Sequence, residues 1–245
     1  MKLTDAERAE NREAFSRMTL PERLGYIYEY YKFPLVLILI AAVALGSVLY
    51  YRITYRDTLL YLGYANIAVG DTLDGALSEG FTRSVGADPR KSEVKVYRGL
   101  YLSSSASVQD HQYAYASRLK IMAAMNNGQL DVLLMNREAY DIMSSGGYLL
   151  PLEDLLKQDG ALLQRIGSRL TENTVILEDN EIEHNLDGNV PYRAVTETAA
   201  NAILISSFEM FEQAGFSGDV YLGVIGNSAR LGQVLQFIDY LTAET

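Results

Sequence analysis

Nineteen consecutive uncharged residues, FPLVLILIAAVALGSVLYY, lie between Lys32 and Arg52. As an α-helix rising 1.5 Å per residue this run is about 28 Å long, close to the roughly 30 Å hydrocarbon thickness of a bilayer. Tyrosines flank the run on both sides, as is typical of side chains at headgroup level. The sequence therefore predicts one transmembrane helix over residues 33–52, with the lipid bilayer as its surroundings.

Two other interpretations of the run are weaker. Ala42-Val43-Ala44 offers a signal-peptidase site, but 32 mostly polar residues precede the run, and its apolar character continues to Tyr51. A core helix of a soluble protein would carry a polar face, and only Ser47 interrupts this one. An uncleaved signal anchor is the favoured interpretation.

The basic residues near the run set the expected orientation. Three lie within twenty residues on its N-terminal side and two directly after it: Arg17, Arg23 and Lys32 against Arg52 and Arg56. The positive-inside rule then predicts a cytoplasmic N-terminal tail over residues 1–32, with a short helix from Thr4 to Met18. We expect a single-pass protein of the cell membrane with its C-terminal domain outside. Because the chain has no cysteine, neither disulfides nor a lipid-modified cysteine can hold it.

The charge changes sharply after the anchor. Residues 57–245 contain 13 basic and 25 acidic side chains, a formal charge of −12. Such a domain repels nucleic acid, so nucleic-acid binding is excluded as an expected function. Its length is sufficient for one substantial core, and residues 57–245 are predicted to form one extracytoplasmic domain.

Helical and extended patterns alternate in the first half of this domain. The expected strands are residues 58–65, 92–102 and 130–135, and the expected helices are residues 71–86 and 109–126. This alternation predicts right-handed crossovers and a parallel sheet with flanking helices, an α/β fold. Beyond residue 160 the pattern predicts short antiparallel strands at residues 173–177, 190–195, 202–206 and 219–225.

Three segments carry a resemblance to a known family. They are AAMNNGQLDVLLMNREAYDIMSSGGYLLPLEDLL at residues 123–156, GNVPY at residues 188–192 and VYLGVIGNSARLGQVLQFIDYL at residues 220–241. They resemble the extracellular solute-binding proteins of the sugar and oligosaccharide type that serve ABC importers. With the YEYYK sequence before the span, the chain looks like membrane-anchored solute-binding-like proteins of Gram-positive anaerobes. The resemblance implies a lobe with strand order of the 2-1-3 type, and an ABC transporter permease or another membrane protein as partner.

The chain departs from that family in length. Full members close two lobes around a ligand, whereas only about 190 residues follow the anchor here. We therefore expect one lobe with a reduced second part rather than a complete clamp.

A small-molecule site in such a sheet is expected beyond the carboxyl ends of its parallel strands. Aromatic rings and amides in these loops suit a carbohydrate-like molecule, because rings cover apolar sugar faces while amides bind hydroxyls. Tyrosine is abundant throughout the chain, with eighteen in all, so ordinary loop residues are the favoured interpretation of these side chains. The candidate ligand-binding residues are Tyr64, Asn66, Tyr101, Ser103, Asn136, Glu138 and Tyr140.

Catalytic and metal-binding patterns are weak. The two histidines, His111 and His184, accompany no known catalytic motif, so we expect no enzyme, cofactor or metal centre. The Gly223–Ser228 turn lacks the Lys-Ser/Thr pair of a phosphate loop, and Asn227 or Ser228 is predicted to cap the last helix. The acidic run at residues 178–187 offers oxygen ligands for calcium, but His184 stands where an EF-hand loop needs glycine, and a solvated turn is favoured.

Two functional hypotheses of different classes follow, with a cryptic hydrolase as a distant third. The first is a membrane-tethered, non-catalytic binding module related to solute-binding proteins. The alternative is a structural or regulatory envelope protein that keeps the fold, has lost ligand binding and contacts another protein.

Overall fold

A computed structural model describes residues 19–104, 111–186, 189–216 and 218–243. The chain divides into two compact units, one ending at Tyr55 and the other beginning at Arg56. The predicted tail helix over Thr4 to Met18 lies outside the described residues.

The first unit contains a long helix, α1, at Leu20–Thr54. Its section Lys32–Arg52 has a mean hydropathy of 2.5 and no buried residues, so it is long and apolar enough to cross a membrane. Pro21 lies in the first turn of α1, where no backbone donor is needed, and Pro34 lies inside the helix, two residues into its apolar section. The hydroxyl of Ser47 donates to the carbonyl of Val43 at 2.8 Å, so this polar group in the middle of the apolar section is paired within the helix.

The second unit alternates helices and strands. Its first half contains β1 (Asp57–Ala65), α2 (residues 71–84, with a π-helical turn at Ala76–Gly80), β2 (Ser92–Leu100), α3 (His111–Asn126), β3 (Val132–Met135) and α4 (Arg137–Ser145). Its second half contains α5 (Leu152–Leu156), α6 (Gly160–Ile166), β4 (Leu170–Asp179), α7 (Glu181–Leu186), β5 (Ala194–Leu204), α8 (Glu209–Gln213), β6 (Tyr221–Val224) and α9 (Leu231–Ala243).

The strands of the described residues form one mixed sheet in the order β2-β1-β3-β6-β5-β4. β1 pairs in parallel with both β2 and β3, which agrees with the expected 2-1-3 order of the first half. β6, β5 and β4 then continue the sheet by antiparallel pairing. The second half of the domain therefore extends the sheet of the first half, because β6 pairs directly with β3.

One expected pair of strands is a single strand. Residues 190–195 and 202–206 were predicted separately, but β5 runs without interruption through Ala194–Leu204 and pairs with the whole of β4. The pattern was misleading because residues 195–198 are exposed at consecutive positions, which hides the alternation of a half-buried strand. The other two expected antiparallel strands overlap β4 and β6.

Helices cover both faces of the sheet and produce two apolar cores. One core joins the sheet to α2, α5, α6, α8 and α9, and includes Leu62, Phe81 and Phe237. The other joins the opposite face to α3 and α4, and includes Leu133 and Tyr140. The sheet is thus the middle layer of an α/β/α arrangement.

A buried carboxylate secures the end of the sheet where the parallel strands begin. Asp131 is fully buried, and its side chain accepts hydrogen bonds from the Tyr61 backbone N–H at 2.9 Å and the Ser228 hydroxyl at 2.7 Å. The predicted helix-capping role of Ser228 is wrong, since α9 begins at Leu231 and the hydroxyl is directed to Asp131. Asn227 does not cap the helix either, because its amide donates to the carbonyl of Met125.

Candidate functional site

The carboxyl ends of β1, β2 and β3 lie at one edge of the sheet, as the parallel pairing requires. The candidate residues predicted from the sequence all lie on or just after these ends. The fold therefore brings these residues together at one edge of the sheet. Most of their polar groups, however, form hydrogen bonds to other residues of the chain.

Tyr64 belongs to the core rather than to an open surface. Its ring is buried, and its hydroxyl donates to Asp74 Oδ1 of α2 at 3.0 Å. Arg98 forms an ion pair with the same carboxylate. Burial raises the pKa of the Tyr64 hydroxyl, and the adjacent Asp74 charge raises it further. The bond to Asp74 raises the pKa of Arg98.

Asn66 connects two of the strand ends. It is the one described residue other than glycine with a positive φ, 58°, a conformation that asparagine tolerates well. Its side-chain oxygen accepts from the Leu102 N–H at 2.8 Å, and its amide nitrogen donates to the Leu102 carbonyl. Both polar ends of this side chain therefore fix the loop after β2 beside the loop after β1.

Tyr101, Ser103 and Glu138 lie at the rim of this edge. The Ser103 hydroxyl donates to Glu138 Oε1 at 2.8 Å, and the Ser104 N–H donates to the same oxygen at 3.2 Å. The half-buried Tyr101 ring lies 5.9 Å from the ring of Tyr113. Glu138 therefore organises the start of the serine-rich loop, the rest of which lies outside the described residues.

Asn136 and Tyr140 position α4. Asn136 is the N-cap of this helix, since its side-chain oxygen accepts from the Ala139 N–H at 2.9 Å. Tyr140 is fully buried and stacks on Tyr221, with ring centroids 4.8 Å apart. Burial raises the pKa of the Tyr140 hydroxyl, against the opposing effect of the Arg137 charge.

The Tyr140 hydroxyl belongs to a buried polar network beneath the β4–β5 hairpin. Its oxygen lies 2.8 Å from the Asn201 side-chain oxygen and 2.9 Å from the Thr171 carbonyl oxygen, so its single proton is shared between two acceptors. The Asn201 amide donates to the Ser144 hydroxyl, which in turn donates to the Thr174 carbonyl. Tyr140 is thus turned away from the sheet edge, and this network fixes the base of the hairpin onto α4.

A cavity of about 450 Å³ remains open at the carboxyl edge. Two predicted residues, Asn66 and Asn136, lie in its lining, and the loop before β6 supplies Phe216 and Asp219. The Asn136 amide nitrogen makes no hydrogen bond to any described residue, so it can donate to a ligand. Asp219 is exposed, and its carboxylate accepts long hydrogen bonds from the hydroxyls of Ser206 at 3.5 Å and Tyr221 at 3.3 Å, which leaves capacity to accept from a ligand. The cavity therefore offers a donor, a carboxylate and an aromatic ring within one concave surface.

Phe216 and Asp219 were not predicted as site residues. The loop that carries them precedes an antiparallel strand, and only the insertion of β6 beside β3 brings that loop to the carboxyl edge. A sequence signal was present, because residues 215–219 combine two glycines, an aromatic residue and a carboxylate directly before an apolar strand. The sequence did not show that β6 lies beside β3, and without that strand order the signal could not be interpreted.

Two further cavities lie nearby. One of about 800 Å³ lies between the start of α2 and α8, where Asp71, Glu209 and Tyr240 are among its lining residues. It shares Ala214 with the smaller cavity. Another of about 630 Å³ lies between α4 and β4, but its polar side chains are already paired, Arg137 with Asp141 and Asn173 with Asp141.

The acidic run at residues 178–187 forms the outer turn of the hairpin, apart from Asp187, which lies outside the described residues. Asp179 accepts from the Glu181 N–H at 3.2 Å, and His184 Nδ1 lies 2.6 Å from the Val190 carbonyl oxygen. Within the described part of the chain, no three histidine or acidic side chains come together in a way that could hold a metal ion.

In comparisons with known proteins, no family model, curated protein or solved structure matches the chain.

Proposed function

We propose that this chain is a membrane-tethered, non-catalytic binding module whose domain lies outside the cell membrane. The proposal includes the relationship to solute-binding proteins of ABC importers and the topology expected from the basic residues. The apolar section of α1 supports the tether, because none of its described side chains is buried and its run of apolar side chains favours a hydrocarbon environment.

The observation that carries the binding function is the position of the 450 Å³ cavity. It lies where the carboxyl ends of β1 and β3 meet the loop before β6, which is the usual place for ligands in open α/β sheets. The helices that follow the parallel strands β1 and β3, α2 and α4, pack on opposite faces of the sheet, so the two loops separate around the cavity. A fixed sheet edge of this kind holds donor and acceptor groups in constant relative positions.

The chemistry of the cavity favours a small hydroxylated ligand. The Asn136 amide donates, the Asp219 carboxylate accepts, and Ile67 and Phe216 supply apolar contact. Vicinal hydroxyls beside an apolar ring face, as in a carbohydrate-like molecule, match this set. We propose an ABC transporter permease or another membrane protein as the recipient, since the anchor keeps the domain within reach of the membrane.

Thermal unfolding of the full chain in detergent, with and without a panel of sugars and short peptides, tests this proposal. A ligand at a hundred times its dissociation constant stabilises the native state by about 2.7 kcal/mol, which raises the melting temperature by a few degrees. We expect such a rise with hydroxylated ligands, and its loss in Asp219→Ala. Glu212→Ala removes an exposed carboxylate from α8 outside the cavity and should retain the response.

A second candidate function is a structural or regulatory interaction protein. It is favoured by the outer half of the β4–β5 hairpin, which carries exposed apolar side chains such as Ile182 and Leu186. If no ligand in the panel raises the melting temperature while the hairpin proves to bind protein, this second function replaces the first.

A further inference from the structure

The outer part of the β4–β5 hairpin, residues 175–186 and 189–198, is here named the hairpin tip. Residues 195–198 of β5 are exposed at four consecutive positions, so both faces of the strand are uncovered there. Ile182 and Leu186 of α7 are 77% and 84% exposed. The exposed large apolar side chains of the tip are Leu177, Ile182, Leu186, Tyr192 and Val195.

The hairpin tip is also strongly acidic. Residues 175–186 and 189–198 contain five acidic side chains and one basic one, Arg193. Among the described residues, Glu178, Glu181 and Glu183 have no cationic partner, and Asp179 accepts only from neutral groups, the Glu181 N–H and the Tyr192 hydroxyl. The hairpin tip therefore has both exposed apolar side chains and carboxylates without a cationic partner among the described residues. An anionic membrane surface repels this negative charge.

The opposite edge of the sheet, at β2, is basic rather than acidic. Residues 90–126, which contain β2 and α3, have six basic and two acidic side chains. On α3, Tyr115, Leu119 and Met122 are exposed at the i, i+4, i+7 spacing of one helix face. Arg118 and Lys120 flank this stripe, and neither forms an ion pair with a described residue. We name this stripe and its two cations the α3 surface.

One copy of the domain cannot bring these two surfaces together. β2 and β4 are the two edge strands of the sheet, five strand spacings apart, which is roughly 24 Å at about 4.8 Å per spacing. α3 packs against β2, and the hairpin tip extends from β4. Within the described residues neither surface is covered by another element, although Lys120 lies 5.6 Å from the centroid of the Tyr97 ring. The two surfaces are complementary in charge, and both expose apolar side chains.

We propose that the hairpin tip of one copy binds the α3 surface of a second copy. The inference rests on the interaction function described above and names its partner. Because the two surfaces differ, each contact leaves one tip and one α3 surface free, so copies assemble head to tail into a row or a closed ring. A shared membrane confines the copies and raises their effective concentration, which allows a modest contact to form.

Cysteine cross-linking in membranes tests the contact directly, because the natural chain has no cysteine. Two differently tagged full-length copies are expressed together, one with Leu186→Cys at the tip and one with Leu119→Cys on the α3 surface. After addition of a mild oxidant such as copper phenanthroline, we expect a disulfide between the two introduced cysteines, seen as a product that carries both tags. We expect no comparable product when Leu186→Cys is paired with Glu212→Cys on α8. Absence of the mixed-tag product, or an equal yield with Glu212→Cys, overturns the proposal.

Charge reversal then distinguishes a specific contact from random collision. Glu181→Lys with Glu183→Lys on the tip should reduce the mixed-tag product about fivefold or more, since two favourable contacts become repulsive. Arg118→Glu with Lys120→Glu on the partner copy should restore it. Glu209→Lys with Glu212→Lys gives α8 the same charge change and should leave the yield unaltered.

Two other outcomes distinguish failure of self-association from failure of the interaction function. If the tip cysteine joins only another protein, self-association fails while the interaction function stands. If no cysteine at the tip reacts with any protein and the reversals have no effect, both fail. All substituted positions are exposed, so the circular dichroism of each variant should match that of the natural chain.

Discussion

The hydroxyl of Ser228 donates a 2.7 Å hydrogen bond to the buried carboxylate of Asp131, across 97 positions of the chain. The same carboxylate accepts from the Tyr61 backbone and lies 3.5 Å from a guanidinium nitrogen of Arg230. Arg230 in turn covers the Tyr61 ring, 4.7 Å from its centroid, and donates to the Gly128 carbonyl. β1, β3 and the loop before α9 are therefore connected at one buried charge.

We expect Asp131→Ala to reduce the free energy of unfolding by about 3–5 kcal/mol, because it removes the buried acceptor and leaves its donors without a partner. Ser228→Ala should cost less, about 1.5–3 kcal/mol, since the carboxylate keeps its other contacts. Urea denaturation of the full chain in detergent, followed by circular dichroism, measures both changes. Ser207→Ala at an exposed position is the control and should alter stability by less than about 0.5 kcal/mol. Equal effects of the three substitutions would contradict this role for Asp131.

Tyr140→Phe should loosen the β4–β5 hairpin. The substitution keeps the stacked ring but removes the hydroxyl shared with Asn201 and Thr171, at a cost of about 1–3 kcal/mol. Hydrogen exchange should become faster in residues 170–179 and 194–204, and change little in β1. Asn201→Ala breaks the same network, so the double variant should lose less stability than the sum of the two single variants. Strict additivity would show that the two residues act independently.

Stability should fall in alkaline solution, partly through Tyr64. Burial raises the pKa of its hydroxyl in the folded chain above the value of about 10 expected when unfolded. The folded state therefore holds the proton more tightly, so the contribution is complete below pH 10 and is lost as the pH rises above it. One such group changes the free energy of unfolding by up to about 1.4 kcal/mol per pH unit. Tyr64→Phe should flatten the decline measured by urea denaturation between pH 9 and 11, whereas Tyr148→Phe should not.

Val43→Arg places a charge near the centre of the apolar section of α1. The cost of about 2.5–3.5 kcal/mol should reduce the fraction of chain that resists alkaline carbonate extraction from membranes. Tyr50→Arg, near the end of the section, should have a smaller effect because its side chain can reach the interface. An unchanged membrane fraction in Val43→Arg would contradict a spanning role for this helix.

One introduced cysteine can show on which side of the membrane the second unit lies. Ser104→Cys lies at an exposed position of the second unit, in a chain with no other thiol. On intact cells it should react with a membrane-impermeant thiol reagent if the domain lies outside. Reaction only after the cells are broken would reverse the proposed orientation.

Local patterns predicted the elements of the first half of the domain well. The apolar runs at β1 and β3 and the end of α3 at Asn126 are properties of adjacent residues, whereas the N-cap role of Asn136 was not predicted. Prediction failed for β5, whose exposed outer half follows no alternation. It also missed Phe216 and Asp219, which reach the carboxyl edge only because β6 is inserted beside β3.

The sequence by itself determined the apolar helix, the acidic character of the domain and its α/β class, because run length, charge count and periodicity are local quantities. Only the tertiary structure decided that Tyr64 and Tyr140 are buried and hydrogen-bonded, since their surroundings come from segments far along the chain. It also decided that an acidic hairpin and a basic helix lie at opposite edges of one sheet. That separation depends on strand order, which is fixed by pairing between distant residues.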